Sequence, residues 1–532
     1  MHETLPFLLA LLALLALIVI LNLWAKHLKI AYPILLVLAG LTISFIPGLP
    51  SVHINPDLIF FIFLPPLLFD AAWQISFKEM KKWWRMIGSF AFLVVFFTAF
   101  TVAIVTHNLI PGFTLAFGLL LGGIVSPPDA VSTAAITRFV KIPKVLSTIL
   151  EGESLMNDAS SLIIFRFAIL SIITGQFVIA DASISFAWMI LGGAGIGLLL
   201  GWLFVKIHQI LPTDAPSDIV LTIIEPYFMY WVAEQAHSSG VLAVVFGGLY
   251  MSTKRLLFLN CTSRIRGFSV WESFTFMLNG IVFLIIGLEL PEIIDGIREK
   301  GIDISTAIFY GVIVTIVLVI VRIISSYSAL IATLIFRPKV LPKARTTKRR
   351  FLMPLLLGWT GMRGVVSLAA ALAIPIKLDD GTDFPHRNLI LFITFVVILL
   401  TLTIQGLTLP YIIRKSKIFD DFIEDENESG SKKMMKLALR SHVYQFFKTK
   451  HETGDYGDSH IHIERLMRYW EERAEDDAES WITDEIKQVL IEMFDSQRQF
   501  LEELNNDPTI NEEIIRHQLF QIDLEEERLK ML

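Results

Sequence analysis

An all-α protein that crosses a membrane many times is the fold class the sequence predicts, on three observations. Of its 532 residues, 54% are hydrophobic and only 18% charged, against about 25% charged in ordinary soluble domains. Mean hydropathy is +0.62. Apolar runs of about 20 residues, the length that crosses hydrocarbon as a helix, recur as far as Ile413. The loops between these runs alternate between basic and basic-poor, as loops on opposite sides of a membrane do.

Thirteen runs qualify, near 4–24, 29–47, 57–76, 86–107, 113–138, 148–174, 184–211, 217–236, 239–252, 270–290, 304–336, 351–376 and 388–414. The eighth and ninth are short. The first has no basic leader and no small-residue cleavage site, so a retained span is expected. Odd loops are basic: "AKHLK", "SFKEMKKWWR", "TRFVKIPK", then Lys254, Arg255, Arg264 and Arg266, then "FRPKVLPKARTTKRR". The seventh, with Lys206, is weaker. Even loops such as "IPGLPSVHINP" and "PIKLDDGTDFPHRN" are poor in Lys and Arg or acidic. A span wrongly added in mid-chain would break this alternation. The expectation is a multi-pass protein of the cell (inner, cytoplasmic) membrane, N-terminus outside and C-terminal tail cytoplasmic.

The net charge of −6 hides an asymmetry. From 416 onward there are about 29 acidic and about 15 basic residues, leaving the oily part near +8. Two objects are therefore expected, a transmembrane domain over 1–415 and an acidic helical tail over 416–532. Within the tail, Ile486, Val489, Leu490, Met493, Phe494, Phe500 and Leu501 approximate a helical stripe. "DDFIEDENESG" looks like a linker, and a second helix is expected near "DPTINEEI". A regulatory module against the basic loops and a plain solvated extension are equally compatible with this pattern. The single cysteine, Cys261, excludes an internal disulfide. No G-x-x-x-x-G-K-[ST] loop is present, so ATP-driven pumping lacks its usual phosphate cradle. No nucleic-acid motif, cofactor motif or paired histidine spacing within the spans is visible, and no enzyme chemistry is called for.

Two spans carry helix breakers. "GGIVSPPDAVSTAAI" in the fifth has Pro127 and Pro128, which remove backbone donors, with Asp129 just beyond. "LLLGWTGMRGVVSLAAALAIP" in the twelfth sets Gly358, Gly361 and Gly364 around Arg363. Irregular backbone at membrane depth is tolerated only when buried in protein or lining a wet cavity. A kink would explain either break alone. Two breaks seven spans apart match the inverted repeats of secondary transporters, with spans one to six repeated by eight to thirteen.

The sixth span contains "LEGESLMNDASSLIIFRFAIL". Glu153, Ser154, Asn157 and Asp158 fall on one helical face. Their hard oxygens suit a hard cation such as Na+. A charge at mid-bilayer costs about 2.5–3.5 kcal/mol on insertion scales, which makes each such residue a functional candidate. The competing reading is structural pairing with arginine, strongest for Glu153 with Arg363. Asp70, just after Pro65–Pro66 in "FLPPLLFDAAW", is a candidate second carboxylate or a near-interface Asp. Arg166, two turns beyond Asp158, is expected to balance an acid elsewhere, with Glu225 the candidate. Gly193, Gly197 and Gly201 form a ladder for close helix packing.

Four segments, "SPPDAVS", "EGESLMNDASSLI", "YWVAEQAHSSGVLAVVFGGL" and "GWTGMRGVVSLAAAL", resemble in order the characteristic segments of the monovalent cation:proton antiporter family one, the sodium–proton exchangers, in bacterial form. The resemblance spans roughly 5–415. It implies thirteen helices, a six-helix inverted repeat, two crossing unwound helices at Pro127, Pro128, Gly361 and Gly364, and a homodimer with a mobile core. It implies Asp158 as the ion- and proton-binding carboxylate and Ser154 as a ligand, so that Na+ sits at Asp158 and Ser154. It further implies Asn157 as the mark of electroneutral exchange, Asp129 at the crossing, and Glu153–Arg363 as the ion pair of the core. Asp70 matches a position where some archaeal relatives use Glu as a ligand; the Asp here is shorter.

The function expected is antiport of a monovalent cation, Na+ first, for H+ by alternating access around Asp158. The partners are Na+ (or Li+ or K+), H+ and membrane lipid, with no nucleic acid. K+ or mixed-cation antiport is the first alternative, since ligand type does not set ion size. A tail-gated cation channel is the second; it would carry current without proton coupling. A signalling receptor is third, and the tail offers no motif for catalytic output.

Overall fold

The computed structural model describes residues 4–28, 30–45, 56–129, 144–175, 179–336, 347–378, 381–416 and 484–504, with short helical pieces elsewhere after 440. The chain divides into two compact units, Met1–Ile423 and Glu424–Leu532. Among the described residues the first unit is helical, and its sole β feature is an isolated bridge between Lys377 and Asp383. "TRFVKIPK", "FRPKVLPKARTTKRR", "DDFIEDENESG" and the start of the second tail helix lie wholly or largely outside the described residues.

The helices are α1 (Thr4–Leu28), α2 (Tyr32–Ser44), α3 (Pro56–Gln74), α4 (Phe77–Gly88), α5 (Val95–Leu109), α6 (Leu115–Val125), α7 (Lys144–Thr174), α8 (Ile179–Ile210) and α9 (Ala215–Gln235). They continue as α10 (Gly240–Phe258), α11 (Cys261–Leu288), α12 (Leu290–Glu299), α13 (Ile304–Phe336), α14 (Thr347–Trp359), α15 (Val365–Leu372), α16 (Arg387–Leu400) and α17 (Gly406–Ser416). One π-helical turn, Ser89–Val94, joins α4 to α5, and another, Thr401–Gln405, joins α16 to α17. Capping side chains fix several starts: Thr114 accepts from Phe117 N, Asp214 from Ser217 N, Ser239 from Leu242 N and Asn260 from Ser263 N.

Seven described helical stretches are long and apolar enough to cross a membrane, and four shorter ones are apolar. Of the thirteen runs of the sequence, the first, second, third and fifth are represented by those four shorter described stretches, and the eighth and twelfth fall in neither group. The described helix of the fifth run stops at Val125, and the twelfth run is cut after Trp359. The eighth, α9, carries Asp218, Glu225 and Glu234 and is not purely apolar.

Within the first unit the helices pack as two bundles. A scaffold bundle joins α1, α2 and α3 to α8, α9, α10 and α11, and a core bundle joins α4 to α7 with α13 to α17. Contacts between the bundles are sparser and run mainly through α3 and α10 against α7 and through α3 and α11 against α15. The most extensively packed helix pair, α8 on α10, depends on the expected glycine ladder. A Cβ on Gly193 would lie 2.6 Å from the Ser239 carbonyl oxygen, and one on Gly201 3.0 Å from that of Gly247. A Cβ on Gly197 would run into the backbone of Ala243.

In the second unit α18 (Asp484–Leu504) buries Phe494 with Ile522 and Leu529, and Leu490 and Leu501 pack on them. Met493, expected on the buried stripe, faces outward at 42% exposure. Arg498 donates to Glu526, to Asp523 and to Asp495, and these bonds hold its guanidinium above its ordinary range.

Gly197→Ala should therefore cost about 1–3 kcal/mol, the usual range for overpacking, read as a lower melting midpoint in detergent. Gly195→Ala is the matched control: its Cβ meets nothing within 4 Å, so its midpoint should be unchanged or slightly raised.

Candidate functional site

The two breakers produce two helix breaks that meet. α6 ends at Val125, and Ser126 to Asp129 are non-helical, because neither proline has an N–H to donate back to the preceding turn. α14 ends at Trp359, and Thr360 to Gly364 are non-helical before α15 begins. The stretches are stitched together: Asp129 N donates to Met362 O at 2.8 Å. The Asp129 carboxylate occupies the space a Cβ on Gly364 would need, so only glycine permits the approach. It sits beside the N-terminus of α15, the end where unpaired N–H groups favour an anion.

Arg363 is the counterpart. Its side chain is 1% exposed. Nε donates to Val125 O, at the open carbonyl end of α6, and Nη1 donates to Gly361 O. Carbonyls at a helix C-terminus lack internal partners and favour a cation. Its backbone N–H donates to Thr401 Oγ1 at 3.1 Å, on the π-helical turn.

α7 closes over the crossing. Asn157 Nδ2 donates to Pro128 O at 3.2 Å, and Ser161 Oγ donates to Gly123 O at 2.5 Å. The expected face of Glu153, Ser154, Asn157 and Asp158 thus points into the core bundle, with all four buried. Asp158 is 5% exposed and close enough to Asp129 for the two charges to repel. Among the described residues Asp158 has no arginine or lysine partner. Asn157 Oδ1, on the adjoining residue, is buried with no hydrogen-bond partner. An unmatched oxygen next to a buried carboxylate can coordinate a cation or a water.

The expected Glu153–Arg363 pair is corrected. Glu153 is bound by Arg322 of α13, with Nη1 to Oε1 at 2.6 Å and Nη2 to Oε2 at 2.9 Å. Both side chains are nearly inaccessible. Arg322 lies against Gly361, where a side chain would displace it. Two arginines converge on one glutamate; Arg322 takes it bidentately, and Arg363 serves the end of α6. Arg322 was missed in the sequence, although a lone arginine inside "TIVLVIVRIISSY" is a signal.

A second correction concerns Arg166, which pairs with Glu234 of α9 at 2.5 Å and not with Glu225. Glu225 is engaged by His208. The Arg166–Glu234 pair bridges the core and scaffold bundles and borders a cavity of about 490 Å³. Leu162, one turn beyond Asp158, lines that cavity with Phe60, Phe61 and Tyr230. Asp70 is half-buried on α3, accepts from Gln74 Nε2 at 2.8 Å, and faces Thr275 and Glu272 of α11. No described interaction brings it to Asp158.

Comparison with known proteins places this geometry. The sequence profile described as "Sodium/hydrogen exchanger, transmembrane" matches residues 12–415. The "Sodium, potassium, lithium and rubidium/H(+) antiporter" of Bacillus pumilus is 32% identical over 443 residues, 81% of this chain. The match spans 65% of that relative's length, slightly under two thirds. An uncharacterized Na(+)/H(+) exchanger of Mycobacterium tuberculosis is 29% identical over 538 residues, 98% of this chain and 96% of that protein. The structure of the sodium proton antiporter MjNhaP1 from Methanocaldococcus jannaschii is similar in fold. Its TM-score is 0.61 at 20% identity, and the match covers 78% of this chain and 99% of that one.

Arg322→Met, which strands Glu153 in a dry site, should destabilise the protein by about 3–5 kcal/mol, seen as loss of the monodisperse peak on size exclusion or a lower melting midpoint. Pairing it with Glu153→Leu should restore most of that loss, because no buried charge then remains unmatched.

Proposed function

Since the chain belongs to the sodium/hydrogen exchanger family, a family of transporters and not of enzymes, we propose that it exchanges a monovalent cation, Na+ first, for H+ across the cell membrane. The observation that carries this reading is Asp158, a carboxylate 5% exposed at the crossing of two interrupted helices and without a described cationic partner, while Arg322 and Arg363 are committed elsewhere.

The mechanism follows from the cost of a bare charge away from water. An ionised Asp158 is penalised unless something neutralises it. A proton does so by covalent attachment. A cation does so by coordination, with Ser154 and the free oxygen of Asn157 as further ligands and the Asp129 carboxylate strengthening the local negative field. The two occupants exclude each other because they need the same oxygens. Only loaded forms cross the dry barrier as the core bundle moves against the scaffold bundle around the site. One monovalent cation for one proton transfers no net charge, which makes the cycle electroneutral. Sparse contacts between the bundles support such a movement. Asp70 faces α11 and is assigned a place on the route to the site in preference to a place in the first coordination sphere.

The finer architecture is part of the same proposal: thirteen spans, two inverted six-helix repeats, a homodimer, an outside N-terminus and a regulatory cytoplasmic tail. The pairing of Asn157 with the first break and of Thr401 with the second supports the repeat, because each lies on the span that follows the broken one. The second reading, K+ or mixed-cation exchange, is favoured by the range of ions in the name of the Bacillus pumilus relative.

The test is transport in proteoliposomes with an internal pH dye, adding Na+, Li+ and K+ in turn, with and without a charge-dissipating ionophore. Na+ should dequench the dye in the wild type, the ionophore should leave the rate unchanged, and Asp158→Asn should abolish the signal. A K+ response equal to that of Na+ would select the second reading. A response that requires the ionophore, or survives in Asp158→Asn, would reject the mechanism.

A further inference from the structure

The scaffold bundle contains a buried charged cluster that the exchange mechanism does not use. His208, at the end of α8, lies between two carboxylates of α9. Its Nδ1 is 2.9 Å from Asp218 Oδ1, and its Nε2 is 2.9 Å from Glu225 Oε1. The three residues are 4%, 2% and 0% exposed, respectively. A neutral imidazole has one N–H and can donate only one of these two contacts. The other requires an additional proton, on the ring or on a carboxyl group. Asp218 already accepts two hydroxyl hydrogen bonds, from Thr213 Oγ1 to its Oδ1 at 2.5 Å and from Ser263 Oγ to its Oδ2 at 2.7 Å, which favour its ionised form. The additional proton therefore belongs to the His208–Glu225 contact. Glu225 Oε2 is buried with no hydrogen-bond partner, which makes a fully ionised Glu225 costly there.

We propose that His208, Asp218 and Glu225 form a second proton-binding site, separate from Asp158, whose proton clamps α8, α9 and the start of α11 together. Both ring nitrogens are spent on carboxylates, so no lone pair is left for a metal ion. The Phe258 ring of α10 covers the imidazole at 5.0 Å between centroids. Three neighbouring charged side chains are engaged outside the cluster. Lys206 binds Gln209, Asp214 caps Ser217, and Arg264 donates to Leu259 O. Lys254, Arg255 and Arg266 lie on adjoining turns, and the charges acting on the three cluster residues are those of one another.

Loss of the proton leaves one ring nitrogen's lone pair against a carboxylate oxygen, and two unscreened carboxylates close together. The junction of three helices and the loop bearing Thr213 then loses its central link. The sign follows from linkage. The folded chain binds one proton more than the unfolded chain does near neutrality, so stability declines as pH rises through release of that proton.

The test is the thermal midpoint of the full-length chain in micelles over a pH series from mildly acid to alkaline. The wild type should show a downward step, with the folding constant falling about tenfold per pH unit across it. In Glu225→Gln the amide completes the second hydrogen bond without an added proton, so the step should vanish and the midpoint become flat through that range. Asp158→Asn should keep the step, which separates this site from the transport carboxylate. His208→Gln, a second route should Glu225→Gln fold poorly, should also lose it. A flat wild-type profile, a step surviving in either cluster variant, or its loss in Asp158→Asn would overturn the assignment.

Discussion

A charge removed from water must be matched or neutralised, and the buried charges of the core bundle are distributed under that constraint. Glu153 takes a bidentate partner in Arg322. Arg363 is matched by carbonyls at the open end of α6. Asp129 lies at the opposite kind of helix end, beside the N-terminus of α15. Asp158 is then left without a fixed cation among the described residues, which is what the proposed exchange at this carboxylate requires. A second arginine within reach would have made the site a permanent ion pair, stable and inert.

The interrupted helices make this assignment geometrically possible. Continuous helices would hide their polar backbone groups along the whole span. Stopping α6 at Val125 and α14 at Trp359 presents helix ends in the middle of the bundle, where they act as fixed partial charges. The residues at the crossing are small or lack donors for the same reason. Pro127 and Pro128 leave no N–H to satisfy, Gly361 makes room for Arg322, and Gly364 makes room for Asp129. α7 and the π-helical turn after α16 then bind one break each, through Asn157 and Thr401.

What the sequence made legible was local. Apolar length marks helices, adjacent prolines or clustered glycines stop them within a few residues, and a period of 3.6 sets Glu153, Ser154, Asn157 and Asp158 on one face. The glycine ladder on α8 was legible on the same grounds. Partners across the fold were not. Glu153 and Arg322 are 169 positions apart, and nothing in either segment tells Arg322 from Arg363 as the mate. Arg166 was matched to the wrong acid of α9 because nothing local to the sequence tells Glu225, at the middle of that helix, from Glu234 at its C-terminal end. The cluster around His208 was hidden for a related reason: its members look like scattered interfacial residues until the turn at Leu211–Asp214 folds α9 back along α8.

The proposed exchange rests on one carboxylate that accepts either a proton or a cation and never both. Isothermal titration of Na+ into the purified full-length protein, repeated in buffers of different ionisation enthalpy, counts the protons released for each cation bound. The account predicts close to one proton released per Na+ in the wild type, with both heat and release lost in Asp158→Asn. Cation binding with no proton release, or release undiminished in Asp158→Asn, would contradict it.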